Sequence, residues 1–271
     1  WHMYGRAKGL VHNRREMEAI EVINQALIET EKNDLLFEKA EFLQLRSFIY
    51  SNSFKNAEAA EDLFKAADLY MKLGLRKEAA ASYLGVENLQ FSSGNYQLAI
   101  ENGLFAIQLI NDNLVLDRED SVRIKNAYNT MGLAYYRLND YDNALKYYDS
   151  SLYYAVLLKD EFWQGLVTGN LAVILFRQGK TEEALDKFET DIRTSLKYKD
   201  LSSASNAYLS VGEVFIETGK YRLAKNYLDS AYRLLNQVDF PTIRERYYKN
   251  MSEWHQLIDD HSKALSYYKK H

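Results

Sequence analysis

The 271 residues contain no cysteine and a single proline, Pro241, and the twelve glycines stand one at a time. The missing cysteine excludes disulfides, thiol catalysis and cysteine-ligated metal, and it leaves the compartment open, because oxidising and reducing environments both tolerate chains without it. Isolated glycines at turns and helix contacts exclude a phosphate-binding loop. No apolar run approaches the roughly 18 residues of a membrane span, and no signal peptide is visible. Net charge is only −4, from 34 basic and 38 acidic residues that are well interspersed. That balance offers no basic stripe for nucleic acid and no acidic block for a disordered tail. The five histidines are His2, His12, His255, His261 and His271, and no two form an i, i+4 pair around a glutamate as a zinc protease helix requires. His255 and His261 read as structural, and the carboxylate pairs Glu182/Glu183 and Asp259/Asp260 lie at helix starts or turns, where the dipole favours negative charge. No catalytic, cofactor-binding or metal-ligating residue is assigned.

What the chain does have is a rhythm. Ala19, Ala60, Ala99, Ala144, Ala184, Ala224 and Ala264 recur at spacings of 41, 39, 45, 40, 40 and 40 residues. In most units the alanine is followed four positions on by a large residue and three further on by a small one, as in Ala144/Tyr148/Ser151, Ala184/Phe188/Asp191 and Ala224/Leu228/Ala231. These offsets share one helix face, where small side chains admit a neighbouring helix and the ring between them fills the gap. Twelve residues before an alanine stand Gly132, Ala172, Gly212 and Ser252. Five before it come Gly94, Asn139, Gly179, Gly219 and Asp259, residue types that tolerate the left-handed conformation ending a helix. The unit is therefore a helix–turn–helix pair. A fixed period of this length marks a solenoid whose units are stable only against their neighbours. Hydrophobic residues at 47% suffice for a long continuous core.

On these residues the chain resembles the tetratricopeptide repeat (TPR) family, clearest in Tyr128/Met131/Gly132/Tyr135/Ala144/Tyr148/Ser151 and Tyr208/Val211/Gly212/Phe215/Ala224/Leu228/Ala231. The resemblance implies an all-α fold, a TPR-type α-α superhelix, that is, a right-handed solenoid of about seven helix pairs with a period near 40. It would run through all of 1–271 as one domain in approximate units 1–34, 35–74, 75–120, 121–160, 161–200, 201–240 and 241–271. The family's common period is 34, so the extra residues lengthen the helices. Two departures stand out: Glu87 replaces the small residue of the third unit, and Ala99/Gly103/Ala106 lacks its large one. Asn111 to Asp120 supplies five extra residues as an acidic loop or helix extension, and Pro241, after Asp239 and Phe240, fits the first turn of a helix. Both ends read as interior to a repeat, so more protein is expected to follow His271.

By the same resemblance, the first helix of each pair lines a concave groove. The position two before the small residue, where the family places a peptide-holding asparagine, is Gly85, Thr130, Asn170, Ser210 and Asn250. Asparagine offers a donor and an acceptor, which suits an extended peptide backbone. The expected binding residues are Asn126, Asn129, Tyr136, Arg137, Asn170, Phe176, Arg177, Asn206, Glu213, Lys249, Asn250 and Glu253. Arg137 and Arg177, one repeat apart, are read either as a joint grip on a carboxylate or as solvated arginines near helix ends. The expected partner is a protein or extended peptide, with no cofactor, no nucleic acid, a membrane reached only through segments outside this sequence, and a homodimer left open.

Three functions are compatible with a non-catalytic binding module. Ser262 to His271 is similar to the last repeat of TPR-containing sensor histidine kinases of the Bacteroidetes type, which implies a periplasmic sensor region. That is the main reading; the alternative is a cytoplasmic peptide receptor of the quorum-sensing type, whose similarly long repeats the chain resembles but whose N-terminal helical bundle or DNA-binding helix–turn–helix is not visible here. An enzyme of TPR architecture is the third, with no nucleophile, base or metal cluster to support it.

Overall fold

The 40-residue period is made of two helices of about seventeen residues, each followed by a three-residue turn. The computed structural model describes residues 1–112, 115–238 and 240–271, and these form fourteen α-helices and no strand. In pairs they are α1 (His2–His12) and α2 (Glu16–Lys32), α3 (Leu36–Asn52) and α4 (Asn56–Lys72), α5 (Arg76–Ser92) and α6 (Tyr96–Asn111), then α7 (Arg118–Arg137) and α8 (Tyr141–Leu157). There follow α9 (Glu161–Arg177) and α10 (Thr181–Lys197), α11 (Leu201–Glu217) and α12 (Tyr221–Leu235), and α13 (Pro241–Leu257) and α14 (His261–Tyr268). The seven pairs are those expected, and Pro241 opens its helix.

The three-residue turns share one device, and the longer connectors before α7 and α13 stand apart from it. After α5, the Gly94 amide donates to the Phe91 carbonyl and the Asn95 amide to that of Gln90, a Schellman closure with the middle residue left-handed. The third turn residue then starts the next helix. Asp160, Asp200 and Asp260 each close one helix through the backbone amide and cap the following one through a side-chain oxygen that accepts from Trp163, Ser203 and Lys263. The left-handed residues fall at 14, 34, 54, 74 and 94, then at 139, 159, 179, 199, 219 and 259. Only four of them are glycine. Phe54 is an aromatic among them, at φ +58° and 92% exposed. Its ring contributes little burial there while its Cβ crowds the backbone. Phe54→Gly is expected to stabilise the fold by about 1 kcal/mol after the entropy glycine adds to the unfolded chain, read as a rise in Tm.

The extra residues before α7 extend that helix. Asp117 and Asp120 form a reciprocal capping box at its start, and α7 runs for 20 residues. Asn113 and Leu114 of the connector, and Asp239 before Pro241, lie outside the described residues.

Contacts divide the chain into two compact units, Trp1–Tyr154 and Ala155–His271. In the first unit one core joins Leu43, Tyr70, Ile100, Ile110, Ile124 and Met131, with a smaller cluster around Ile23, Phe42 and Ile49. In the second a single core gathers Phe188, Leu209, Val214, Phe215, Leu228, Leu235 and Tyr247. The marker alanines from Ala19 to Ala224 are buried, and Ala264 is half-buried. His255 is buried as well, its ring stacked 5.4 Å from that of Tyr267, and burial lowers its pKa.

Small faces large across each pair. A Cβ on Gly132 would lie 2.5 Å from the Tyr148 ring, and one on Gly212 would lie 2.8 Å from Leu228. In the third pair the sizes are exchanged: a Cβ on Gly103 would meet Glu87 Oε1 at 2.6 Å. The two departures noted in the sequence are one feature, a large side chain moved from the second helix to the first. Asp191 is accommodated in the same way, over Gly169, where a Cβ would come within 2.1 Å of its carboxyl. Burial raises the Asp191 pKa to about 7, against the opposing effect of the Ser195 hydroxyl that donates to it at 3.0 Å.

Candidate functional site

Within each unit, first helices of neighbouring pairs pack side by side. In the second unit α9, α11 and α13 form such a row, and polar side chains bridge it at about one repeat period. Arg246 on α13 donates from Nε and Nη2 to the two oxygens of Glu213 on α11, at 2.9 and 2.8 Å. Its Nη2 also reaches Ser210 Oγ at 2.9 Å, and its Nη1 reaches Asn206 Oδ1 at 3.3 Å. Asn250 Nδ2 donates to Glu213 Oε1 at 2.9 Å. The planar fork of the guanidinium matches the carboxylate, so the arginine fixes the spacing of two helices as well as neutralising a charge. One period earlier, Arg177 Nη1 on α9 reaches both oxygens of Glu217 on α11, at 3.0 and 3.2 Å, with its guanidinium 5.7 Å from the Phe176 ring. Both pairs keep about a third or more of their side-chain surface exposed. Each is therefore worth no more than about 1 kcal/mol.

Several of the expected binding residues have partners within this ladder. Asn250 was expected to face a ligand backbone. It is buried and holds Glu213, because its position points between neighbouring first helices. Glu213 and Asn206 are likewise engaged by Arg246. Arg177 is paired with Glu217 and belongs to the second unit, whereas Arg137 is an exposed residue of the first. Asn170 and Phe176 are half-buried on α9, and Lys249 and Glu253 are exposed on α13.

In the first unit the corresponding row is α3, α5 and α7. Gln44 Nε2 donates to Ser82 Oγ at 2.9 Å, and Thr130 Oγ1 lies 3.5 Å from Asn88 Oδ1 and 3.3 Å from the Asn126 carbonyl. The Asn126 side chain is exposed, Asn129 is buried and Tyr136 is half-buried, with its ring 6.0 Å from Tyr141. The signal for these links was present in the sequence as complementary polar residues one period apart, Arg177 with Glu217 and Asn206 with Arg246.

Among the described residues no cluster of His, Asp or Glu is placed to hold a metal ion, and no helix is long and apolar enough to cross a membrane. Chemically, the face offers amide donors and acceptors, two internally compensated ion pairs and an exposed Lys249 and Glu253.

Residues 123–190, covering most of the α7–α8 pair and running into α10, match the tetratricopeptide repeat family. That segment carries tetratricopeptide repeats. The chain is 24% identical over 217 residues to response regulator aspartate phosphatase E of Bacillus subtilis, an alignment covering 77% of this chain and 54% of that protein. It thus spans about half the length of the curated relatives it matches. Among solved structures, the apo form of RapI aligns with a TM-score of 0.80 at 16% identity, over 99% of this chain and 94% of that one. A Rap protein solved in complex with Competence and Sporulation Factor aligns with a TM-score of 0.67 at 18% identity, over 99% and 72%. At this identity the likeness is one of fold, and the fold is the all-α TPR type. The curated relatives are named a response regulator aspartate phosphatase and a regulatory protein, and none of the proteins named here is a sensor kinase.

Proposed function

We propose that this chain is a binding module that receives an extended peptide on its first-helix face, as part of a cytoplasmic regulator of the quorum-sensing type. The observation that carries the reading is the polar ladder on α9, α11 and α13, set in a fold shared with a Rap protein that binds Competence and Sporulation Factor. A ladder already paired holds its donors and acceptors in fixed positions, so a ligand meets groups whose ordering costs little further entropy. Asn170, Phe176, Arg177, Lys249 and Glu253 are the side chains proposed to meet the ligand in this unit, with Asn206, Glu213 and Asn250 holding them in register. Asn126, Asn129, Tyr136 and Arg137 are proposed for the same use within the first unit. The module contributes recognition rather than bond chemistry.

A labelled library of short random peptides tests this. The expected result is a sequence-restricted subset bound with Kd on the order of 1 μM, weakened about tenfold or more by Asn170→Ala, and unaffected by a change at an exposed residue of a second helix such as Glu183→Ala. A library that binds without sequence preference, or equally to the Asn170→Ala protein, overturns the proposal.

A further inference from the structure

A cleft of about 770 Å³ lies at the other end of the chain, in the first unit, lined by Lys8, Val11, His12, Arg14, Glu16, Phe48 and Asn52. Its volume is that of a small-molecule site. Its electrostatics are unlike those of the rest of the molecule: the first fifteen residues hold Arg6, Lys8, Arg14 and Arg15 and no acidic residue, in a chain whose net charge is −4. Arg15 is committed to Glu18. Lys8 and Arg14 form no ion pair among the described residues, and Lys8 instead stands 4.6 Å over the Tyr4 ring. The acid lining the cleft, Glu16, accepts a hydrogen bond from the Ser53 hydroxyl at 3.3 Å. Beside these charges stands an apolar wall, the Phe48 ring, 53% exposed, with the half-buried Val11.

We infer that this cleft binds a small organic anion, an acidic head of the carboxylate or phosphate type carried on a flat apolar body. Two cations and a histidine converge from α1 and from the turn that follows it, while α3 supplies the ring and the Asn52 amide. A simple inorganic anion would leave Phe48 and Val11 in water, and a neutral apolar ligand would leave Lys8 and Arg14 unused. Only a ligand with both parts uses both walls. The site is separate from the first-helix ladder of α9, α11 and α13, and stands or falls independently of the function proposed for that ladder.

The test is calorimetric titration and saturation-transfer NMR with four probes: phenyl phosphate, benzoate, inorganic phosphate and benzyl alcohol. The expected result is binding of phenyl phosphate or benzoate with Kd near or below about 1 mM, at least about tenfold tighter than inorganic phosphate or benzyl alcohol, and weakened by added salt. The better of the two acids identifies the head group. Lys8→Gln combined with Arg14→Gly is expected to reduce that affinity by about tenfold. The glycine suits the left-handed backbone at position 14, φ +57°, so the variant keeps the turn, and an unchanged Tm confirms it. Phe48→Ser should lower affinity for the aromatic acid and leave inorganic phosphate unaffected. Equal binding of inorganic phosphate, equal binding of benzyl alcohol, absence of binding by both acids, or an unchanged affinity in the double variant each overturns the assignment.

Discussion

Arg46→Met is expected to destabilise the first unit by about 3 kcal/mol, and adding Asp62→Leu in the same chain is expected to recover most of that loss. Arg46 on α3 donates from Nε and Nη2 to both oxygens of Asp62 on α4, each at 2.7 Å, and from Nη1 to Asn24 Oδ1 on α2 at 2.6 Å. One guanidinium thus joins three consecutive helices. The Asp62 side chain is 4% exposed and that of Arg46 19%. Removing the arginine strands a carboxylate that water cannot reach, which is where the energy goes. Removing both replaces a desolvated pair by apolar packing, which is commonly neutral or favourable. The partial exposure of Arg46 places the single substitution at the lower end of the usual range. Native-state hydrogen exchange in α2, α3 and α4 reads the effect locally, as repeats open with their neighbours. If the double variant is less stable than Arg46→Met, the pair contributes more than its desolvation costs and this reading is wrong.

Glu87→Gln is expected to make the protein more stable at neutral pH, by an amount that shrinks to nothing in acid. Glu87 is 1% exposed, its Oε1 has no hydrogen-bond partner among the described residues, and burial holds its pKa well above the usual carboxylate range. Below about pH 4.5 folded and unfolded chains both carry the proton. As the pH rises past that point the unfolded chain releases it and the folded chain retains it, so stability falls by about 1.4 kcal/mol per pH unit until the buried group ionises. The amide has the same shape and no proton to lose. Denaturant unfolding at a series of pH values from mildly acid to neutral, with wild type and variant compared at each, isolates this group from the other carboxylates. Asp191, with a pKa of about 7, contributes a slope of the same sign to both proteins and cancels in the difference. Parallel curves would show that Glu87 ionises in the fold as it does in water.

Much of the fold was legible because its signal is steric. Ala144, Gly132 and Tyr148 announce a close approach and a filled gap, and the structure places them so. The three-residue turns were visible only where glycine, asparagine or aspartate stood; at Arg14, Phe54, Lys159 and Lys199 the left-handed backbone is imposed by the closing hydrogen bonds on residues that do not advertise it. The exchange between Glu87 and Gly103 read as two unrelated departures, since each position looks anomalous until its partner across the pair is known. The candidate face was legible in place and not in state. Spacing put Asn250, Glu213 and Arg177 on first helices, and pairing across neighbouring helices then decided that Asn250 would be buried and Arg177 engaged. The basic run of the first fifteen residues was hidden by the balanced composition of the whole.

The turn in which one residue closes a helix and caps the next has a consequence for how such a chain can change in length. The three-residue turns within pairs and between pairs are chemically alike, so where they occur the smallest interchangeable segment is a single helix with its turn, about twenty residues. Gaining one such segment would preserve every junction and yet convert every later first helix into a second, carrying Arg246 and Asn250 to the opposite face. Gaining two restores the alternation. Duplication is thus filtered by parity: even increments extend the array intact, and odd ones invert it from the insertion onward.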